Sequence, residues 1–270
     1  FQTRATKPEQ QPERRPHDGE ADPPPKVKVR RGARSHAADA TRRVGARATS
    51  ELDLWWRVGL AVVGPPLRLL FRLRCTGLER VPTHGPAVLA ANHLSALDGI
   101  FLPYLVGAAR SRTTRYLVAA EFFERRFHGF WLRIFRQIPI RRGEGDSGAV
   151  DEAVATVRSG AIAGIFPEGA VNPRPEVSLM RGRSGVARIA LAAGAPVVPV
   201  GIWGTQVRWP RGGLRFRRPL RPTVALSFGE PIEPKGDPAS QDDVDVFTGL
   251  VMTDIGKQVA EARALAAGGR

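Results

Sequence analysis

The sequence predicts an α/β fold, a largely parallel central sheet flanked by helices, with an N-terminal interfacial helix pair ahead of it. Three observations predict it. From residue 75 onward short apolar runs alternate with amphipathic ones, the pattern of strands joined by helical crossovers. Apolar residues make up 42% of the chain, enough to bury a sizeable core. A length of 270 residues suits one large domain, or a domain with a tail.

Residues 1–50 form the tail. They hold twelve Lys and Arg against six Asp and Glu, six prolines, and no aromatic after Phe1. The run Pro23 to Pro25 leads into Lys26, Lys28, Arg30, Arg31 and Arg34. So little apolar surface cannot offset the entropy of ordering the segment, so a disordered basic tail is expected, serving as a solvated linker or as an electrostatic contact for anionic membrane. It has no Phe, Tyr or Trp after Phe1 to stack on bases, which weakens the case for nucleic acid. The sequence opens on Phe1 rather than Met, leaving room for a natural N-terminus upstream, and no secretory signal pattern begins it.

Residues 51–74 change character. LDLWWRVGLAVVGPPLRLLFRLR, from Leu52 to Arg74, is apolar with four interspersed arginines. Its charge-free stretch, Val58 to Leu67, is far short of the roughly 20 residues of a spanning helix. Pro65 and Pro66 predict two short helices joined at a bend. Trp55 and Trp56 near one end, with arginines along the rest, suit a membrane interface; packing on the protein's own core is the alternative.

Residues 75–270 read as the main domain. Strands are predicted at Ala87 to Ala91, Arg115 to Val118, Ile138 to Ile140, Ala161 to Phe166, Val197 to Trp203 and Thr223 to Phe228. Helical patterns fall at Asp98 to Ala108, Phe127 to Phe135, Ser147 to Arg158 and Gly185 to Ala193, the last stopped by Gly194. A closing helix spans Ser240 to Ala267, with Ser240 as cap and Asp242, Asp243 and Asp245 in the first turn. The net charge of +15 favours anionic partners: nucleic acid, acidic lipid or phosphorylated small molecules. A single cysteine, Cys75, excludes an internal disulfide framework and a cysteine-based zinc site.

Chemistry concentrates at strand ends. Ala90 to Gly99 reads AANHLSALDG, between a buried-looking strand and a helix, where α/β sheets bind ligands. His93 and Asp98 are five residues apart, about 140° around a continuous helix. They meet only if His93 sits on the loop and Asp98 in the first turn after it. Asp98 would then take a hydrogen bond from one imidazole nitrogen and leave the other as a base. Ile165-Phe166-Pro167-Glu168-Gly169 ends a second strand with a carboxylate. Ile138-Pro139-Ile140 runs into Arg141 and Arg142 at a third. A histidine, two carboxylates and two arginines on one rim suit a base-catalysed reaction on an anionic substrate.

Asn-His-x-Ser-x-x-Asp, Pro-Ile-Arg-Arg, Phe-Pro-Glu-Gly and the later Ala195-Pro196-Val197-Val198-Pro199-Val200 follow in that order. Together they resemble the glycerophospholipid acyltransferases of the 1-acyl-glycerol-3-phosphate acyltransferase kind, over about residues 75 to 232. The resemblance implies an O-acyltransferase with His93 as general base and Asp98 as its partner. An acyl group would pass directly from acyl-CoA or acyl carrier protein to the free hydroxyl of a lysophospholipid, foremost 1-acyl-glycerol-3-phosphate. It implies substrate contacts at Asn92, Ser95, Arg142, Phe166, Pro167, Glu168, Gly169, Arg181 and Pro199. No metal or organic cofactor is implied. Peripheral or monotopic attachment at the cytoplasmic face of the cell membrane is expected.

The chain also departs from the pattern. Where the family continues Phe-Pro-Glu-Gly-Thr-Arg-Ser, this sequence has Ala170, Val171 and Asn172. Losing that charge-assisted contact would cost on the order of 2 kcal/mol, unless Arg174, Arg181 or Arg183 replaces it; another lysolipid or hydroxylated lipid stays open as acceptor. Two readings from other classes are weaker. Gly143-Glu144-Gly145-Asp146-Ser147-Gly148 fits a dinucleotide-binding loop, but its two carboxylates would face the pyrophosphate. A non-catalytic basic membrane- or nucleic-acid-binding module is opposed by the intact His93 and Asp98.

Overall fold

The computed structural model describes residues 52–141, 147–216 and 218–268. The expected basic tail, Arg142 and most of the glycine-rich stretch at 143–148 lie outside these residues. Seven strands form one sheet: β1 (Arg72–Thr76), β2 (Ala87–Ala91), β3 (Thr114–Ala119), β4 (Ile138–Ile140), β5 (Ile162–Ile165), β6 (Val197–Trp203) and β7 (Thr223–Phe228), in the order β1-β7-β6-β2-β5-β3-β4. Neighbours are parallel except β6 and β7, so β1 and β7 together oppose the other five.

The helices are α1 (Leu54–Leu70), α2 (Asp98–Arg110), α3 (Glu121–Glu124), α4 (Arg126–Ile134), α5 (Ser147–Arg158), α6 (Gly185–Ala193) and α7 (Gln241–Ala267). β2 is buried along its whole length because both faces of the sheet are covered. Ala87, Leu89 and Ala91 face a core that includes Leu67 of α1 and Phe101 of α2. Val88 and Ala90 face the other, built with Val154 of α5, Ile189 of α6 and Ile255 of α7. The period-2 alternation of the strand thus divides one apolar run between two cores. At the opposite edge from the His93 loop, the buried Arg112 guanidinium donates to the carbonyls of Pro82, Gly85 and Gly160, fastening three loops.

Two expectations about the N-terminal segment are corrected. There is one helix, not a bent pair: α1 runs through Pro65 and Pro66. The prolines remove two amide donors, but Asp53 caps the start by accepting from Trp56 N at 2.9 Å, and packing on α2 holds the remainder. Gly64 lies against Tyr104, and Gly107 against Leu60. The segment also ends earlier than residue 74. Arg72–Thr76 is an edge strand registered against Thr223–Ser227, its character hidden in the sequence by Arg72 and Arg74.

α1 has a second, bare side. Trp56 and Leu67 are buried, while Leu54, Trp55, Val58, Val62, Leu69 and Leu70 are exposed. The helix therefore packs on its own core and still presents an apolar face. Among the described residues no helix is long and apolar enough to cross a membrane.

Candidate active site

β2 delivers His93 to the sheet edge, and α2 begins five residues later at Asp98, the loop-and-first-turn arrangement that lets them meet. His93 Nδ1 lies 3.0 Å from Asp98 Oδ2. The same oxygen accepts from the amides of Leu94 at 2.6 Å and Ser95 at 2.8 Å, and Oδ1 accepts from Thr205 Oγ1 at 2.6 Å. Asp98 is fully buried, so these donors replace the water it loses. A carboxylate so placed can only accept from the ring. Nδ1 is therefore the protonated nitrogen, and Nε2 carries the free lone pair.

The His93 ring is held from the side as well. It stacks on Phe166 with centroids 4.2 Å apart and planes at 14°, and Phe166 stacks on Tyr116 at 5.5 Å. Tyr116 fits because residue 164 is glycine: a Cβ there would come within 2.3 Å of its ring. The buried Tyr116 hydroxyl has no hydrogen-bond partner among the described residues. Burial, with a smaller contribution from the Asp98 charge, holds this phenol well above its ordinary pKa.

Glu168 reaches the same edge because β5 is the parallel neighbour of β2. Its role there is internal. Oε1 accepts from His93 N at 2.8 Å, while Oε2 accepts from Met180 N at 2.9 Å and Asn172 Nδ2 at 3.2 Å. Burial pushes this carboxyl above its usual range, against the lowering pull of those donors. Asn172 N in turn donates to His93 O at 2.8 Å. The His93 backbone is thus held to the segment after β5 on both sides, its N–H by the Glu168 side chain and its carbonyl by the Asn172 amide.

His93 lines a cavity of about 1650 Å³. Trp56 of α1, with Trp131 and Phe135 at α4, makes an aromatic wall. Trp56 meets Phe135 edge-on at 5.2 Å. Arg141, Arg158, Arg183, Arg188 and Arg211 also border the cavity, against the one carboxylate of Asp151 among the described residues. The space suits an amphiphile with an apolar body and an anionic head.

Phe166, Pro167 and Gly169 line this cavity. Other expected substrate contacts are used inside the fold. Asn92 is buried and spends its amide on Ile202, donating to the carbonyl and accepting from the N–H. Ser95 is buried too, its hydroxyl accepting from Leu97 N. Glu168 is taken up by two backbone amides and the Asn172 side chain, and Pro199 sits within β6, its carbonyl accepting from Gly229 N. Arg181 is exposed and does not line the cavity; Arg183, two residues on, borders it. Gly169 has φ +70, and Arg183 Nε lies 2.6 Å from where a Cβ would stand, so the guanidinium stem crosses directly over the turn. Thr205 and Tyr116 carry no sequence signal: neither belongs to a spaced motif, and only the chain's three-dimensional path brings them to the dyad.

The model of the acyltransferase family matches residues 72–203. An uncharacterized protein of Mycobacterium tuberculosis is 31% identical over 163 residues, 56% of this chain and 43% of that one. A 1-acyl-sn-glycerol-3-phosphate acyltransferase of Borreliella burgdorferi is 26% identical over 59% of this chain and 57% of its own. The chain thus spans about half the length of these curated relatives. The crystal structure of the 1-acyl-sn-glycerophosphate acyltransferase of Thermotoga maritima superposes with a TM-score of 0.61 over 77% of this chain and 79% of that one, at 22% identity, a likeness of fold.

Proposed function

We propose, from the premise that residues 72–203 belong to the acyltransferase family, that the protein transfers a fatty acyl group from an acyl thioester to the free hydroxyl of a lysophospholipid. The acceptor we favour is 1-acyl-glycerol-3-phosphate, giving phosphatidic acid, and the donor is acyl-CoA or acyl carrier protein. The observation that carries this reading is the His93–Asp98 pair at the edge of an aromatic-walled, arginine-rimmed cavity. His93 Nε2 removes the hydroxyl proton as the oxygen attacks the thioester carbonyl. Asp98, buried and four times hydrogen-bonded, holds the ring and balances the imidazolium. When the tetrahedral intermediate collapses, the C–S bond breaks and the imidazolium proton goes to the departing thiolate. No acyl-enzyme is needed.

Arg183 is our candidate for the charge missing after Phe-Pro-Glu-Gly, because it lies over that turn and borders the cavity. The bare side of α1 would set the cavity mouth against a bilayer, as peripheral attachment at the cytoplasmic face of the cell membrane. The test is an acceptor panel. Lysophosphatidate, other lysophospholipids and a neutral monoacylglycerol are supplied in turn with acyl-CoA or acyl carrier protein, and thiol release and lipid product are measured. Acyl transfer to none of them would sink the proposal. Preference for a neutral acceptor would leave the chemistry but displace the phosphate assignment.

A further inference from the structure

The connection from β6 to β7 carries a surface that the catalytic reading does not use. Between Gly201 and Gly229 there is no Asp or Glu, and the sequence of the turn is RWPRGGLRFRRPLRP from Arg208. Phe216 is 80% exposed and Leu220 76%, with Leu214 and Trp209 also exposed. Arg211, Arg215, Arg218 and Arg221 stand exposed among them.

Hydrogen bonds tie the described residues of this loop to one another. Arg208 is buried and donates from Nη1 to Arg215 O at 3.0 Å, and from Nη2 to Pro219 O at 3.1 Å and Leu220 O at 2.8 Å. Its guanidinium also sits 5.6 Å from the Phe216 ring centre. A buried cation is thus spent on presenting an exposed phenylalanine and leucine, which solubility alone would not select. Arg221 then ties the far stem to the end of α1, donating to Phe71 O and Arg68 O. The stem of the loop is thereby fixed to the end of the helix that carries the exposed Leu69 and Leu70. Arg211 borders the catalytic cavity, so the loop flanks its mouth.

The geometry points to this loop as a second membrane-docking element, seated on an anionic bilayer. Phe216, Leu220 and Leu214 enter the headgroup–acyl boundary, and the surrounding arginines meet lipid phosphates. Charge decides the occupant: exposed apolar tips among arginines, in a connection whose sequence has no Asp or Glu, match an anionic lipid surface, whereas a second copy of the loop would repel it. The inference rests on the membrane side of the proposed function, and it adds to α1 a contact point made by a different part of the chain.

The full chain and Phe216→Ser/Leu220→Ser are co-sedimented with vesicles of phosphatidylcholine alone and of phosphatidylcholine mixed with phosphatidylglycerol, at low and high salt. The serine variant is expected to bind the mixed vesicles about a hundredfold more weakly even at high salt, since each inserted apolar side chain is worth roughly a factor of ten. Arg215→Gln/Arg218→Gln is expected to lose binding to the mixed vesicles only, and at low salt. Both pairs are exposed and the serine variant gives up only the Phe216 ring beside Arg208, so thermal midpoints should stay close to the parent's, and acyl transfer to acceptor dispersed in detergent micelles should be unchanged for the serine variant. Sedimentation of the serine variant equal to the parent's overturns the inference. So does a change in elution volume without lipid together with unchanged sedimentation, which would make the loop a contact between copies. Absence of acyl transfer by the parent in micelles would strike the proposed function and leave the vesicle result standing.

Discussion

Thr205 and Asp98 stand 107 residues apart in the chain, and the Thr205 hydroxyl donates to Asp98 Oδ1 at 2.6 Å. The contact links the end of β6 to the start of α2, on either side of the proposed base. It leaves Oδ2 for His93, Leu94 and Ser95. Thr205→Val keeps the shape and removes the donor. It should destabilise the fold by about 1–3 kcal/mol and lower kcat with little change in KM, because a buried carboxylate oxygen loses its partner. Thr205→Ser should recover most of both. A threonine that only fills space would be replaced by valine without loss of turnover.

Removing the base is the most direct test of the chemistry. His93→Ala should reduce acyl transfer by roughly 10² to 10⁴ while the protein still folds and binds vesicles as the parent does. Asp98→Asn should fall in the same range, since an amide cannot balance the imidazolium and one of its faces would present N–H to donors. Near-normal turnover in either variant would remove that residue from the mechanism.

Glu168 offers a readout in stability. Its folded pKa is raised from the ordinary 4.5, foremost by burial. A group raised in this way contributes most below its unfolded pKa, and the contribution is lost as pH rises through the folded value. The stability of the parent relative to Glu168→Gln should therefore fall as pH rises from about 4.5 upward and level off once the folded carboxyl has ionised. At neutral pH the variant should still lose about 1–3 kcal/mol, because its amide sets N–H groups against the donors of His93 or of Met180 and Asn172. Denaturant midpoints of both proteins across an acid-to-neutral series give the difference, and a flat difference would place Glu168 at its ordinary pKa.

Much of the fold is legible in the amino-acid sequence, and what is hidden there has physical reasons. β2, β4, β6 and β7 fall on their predicted residues because continuous apolar runs bounded by Pro, Gly or polar residues have few other uses. The His93–Asp98 meeting is legible because both lie within one short stretch of chain. β1 is not, since an edge strand that alternates arginine with leucine looks like an amphipathic continuation of α1. The unbroken α1 escapes local proline rules because they yield to packing along Leu60, Gly64 and Leu67. The motifs place Asn92, Ser95 and Glu168 at the correct edge of the sheet but do not reveal their partners. A motif residue that holds the backbone of the loop has the same sequence signature as one that holds the substrate.

Arg183 bears on acceptor choice. Its stem over Gly169 puts a guanidinium at the cavity where Val171 supplies none. Arg183→Ala should raise the KM for lysophosphatidate on the order of tenfold and leave a phosphate-free acceptor nearly unaffected, the difference being one charge-assisted hydrogen bond. Equal losses for both acceptors would make Arg183 a support of the turn.

The bare side of α1 makes a prediction of the opposite kind, insensitive to salt. Val62 and Leu69 are 67% and 74% exposed, on a helix whose other side is fixed by Trp56 and Leu67. Val62→Ser/Leu69→Ser changes no buried contact, so the thermal midpoint should stay. Binding to anionic vesicles should weaken by about tenfold or more at every ionic strength, because buried apolar area contributes roughly 25 cal/mol per Å² without screening. Removing residues 1–50 should behave differently. Their surplus of twelve basic over six acidic residues acts through solvent, so that loss should show at low salt and fade once the Debye length shrinks below about 8 Å. Deletion through Arg74 would confuse the two, since Arg72, Leu73 and Arg74 belong to β1 and their loss would open the sheet edge. The paired serines isolate the helix surface from both the tail and the sheet. If that variant sediments as well as the parent in high salt, the outer side of α1 does not enter lipid, and attachment must come from charge or from elsewhere in the fold.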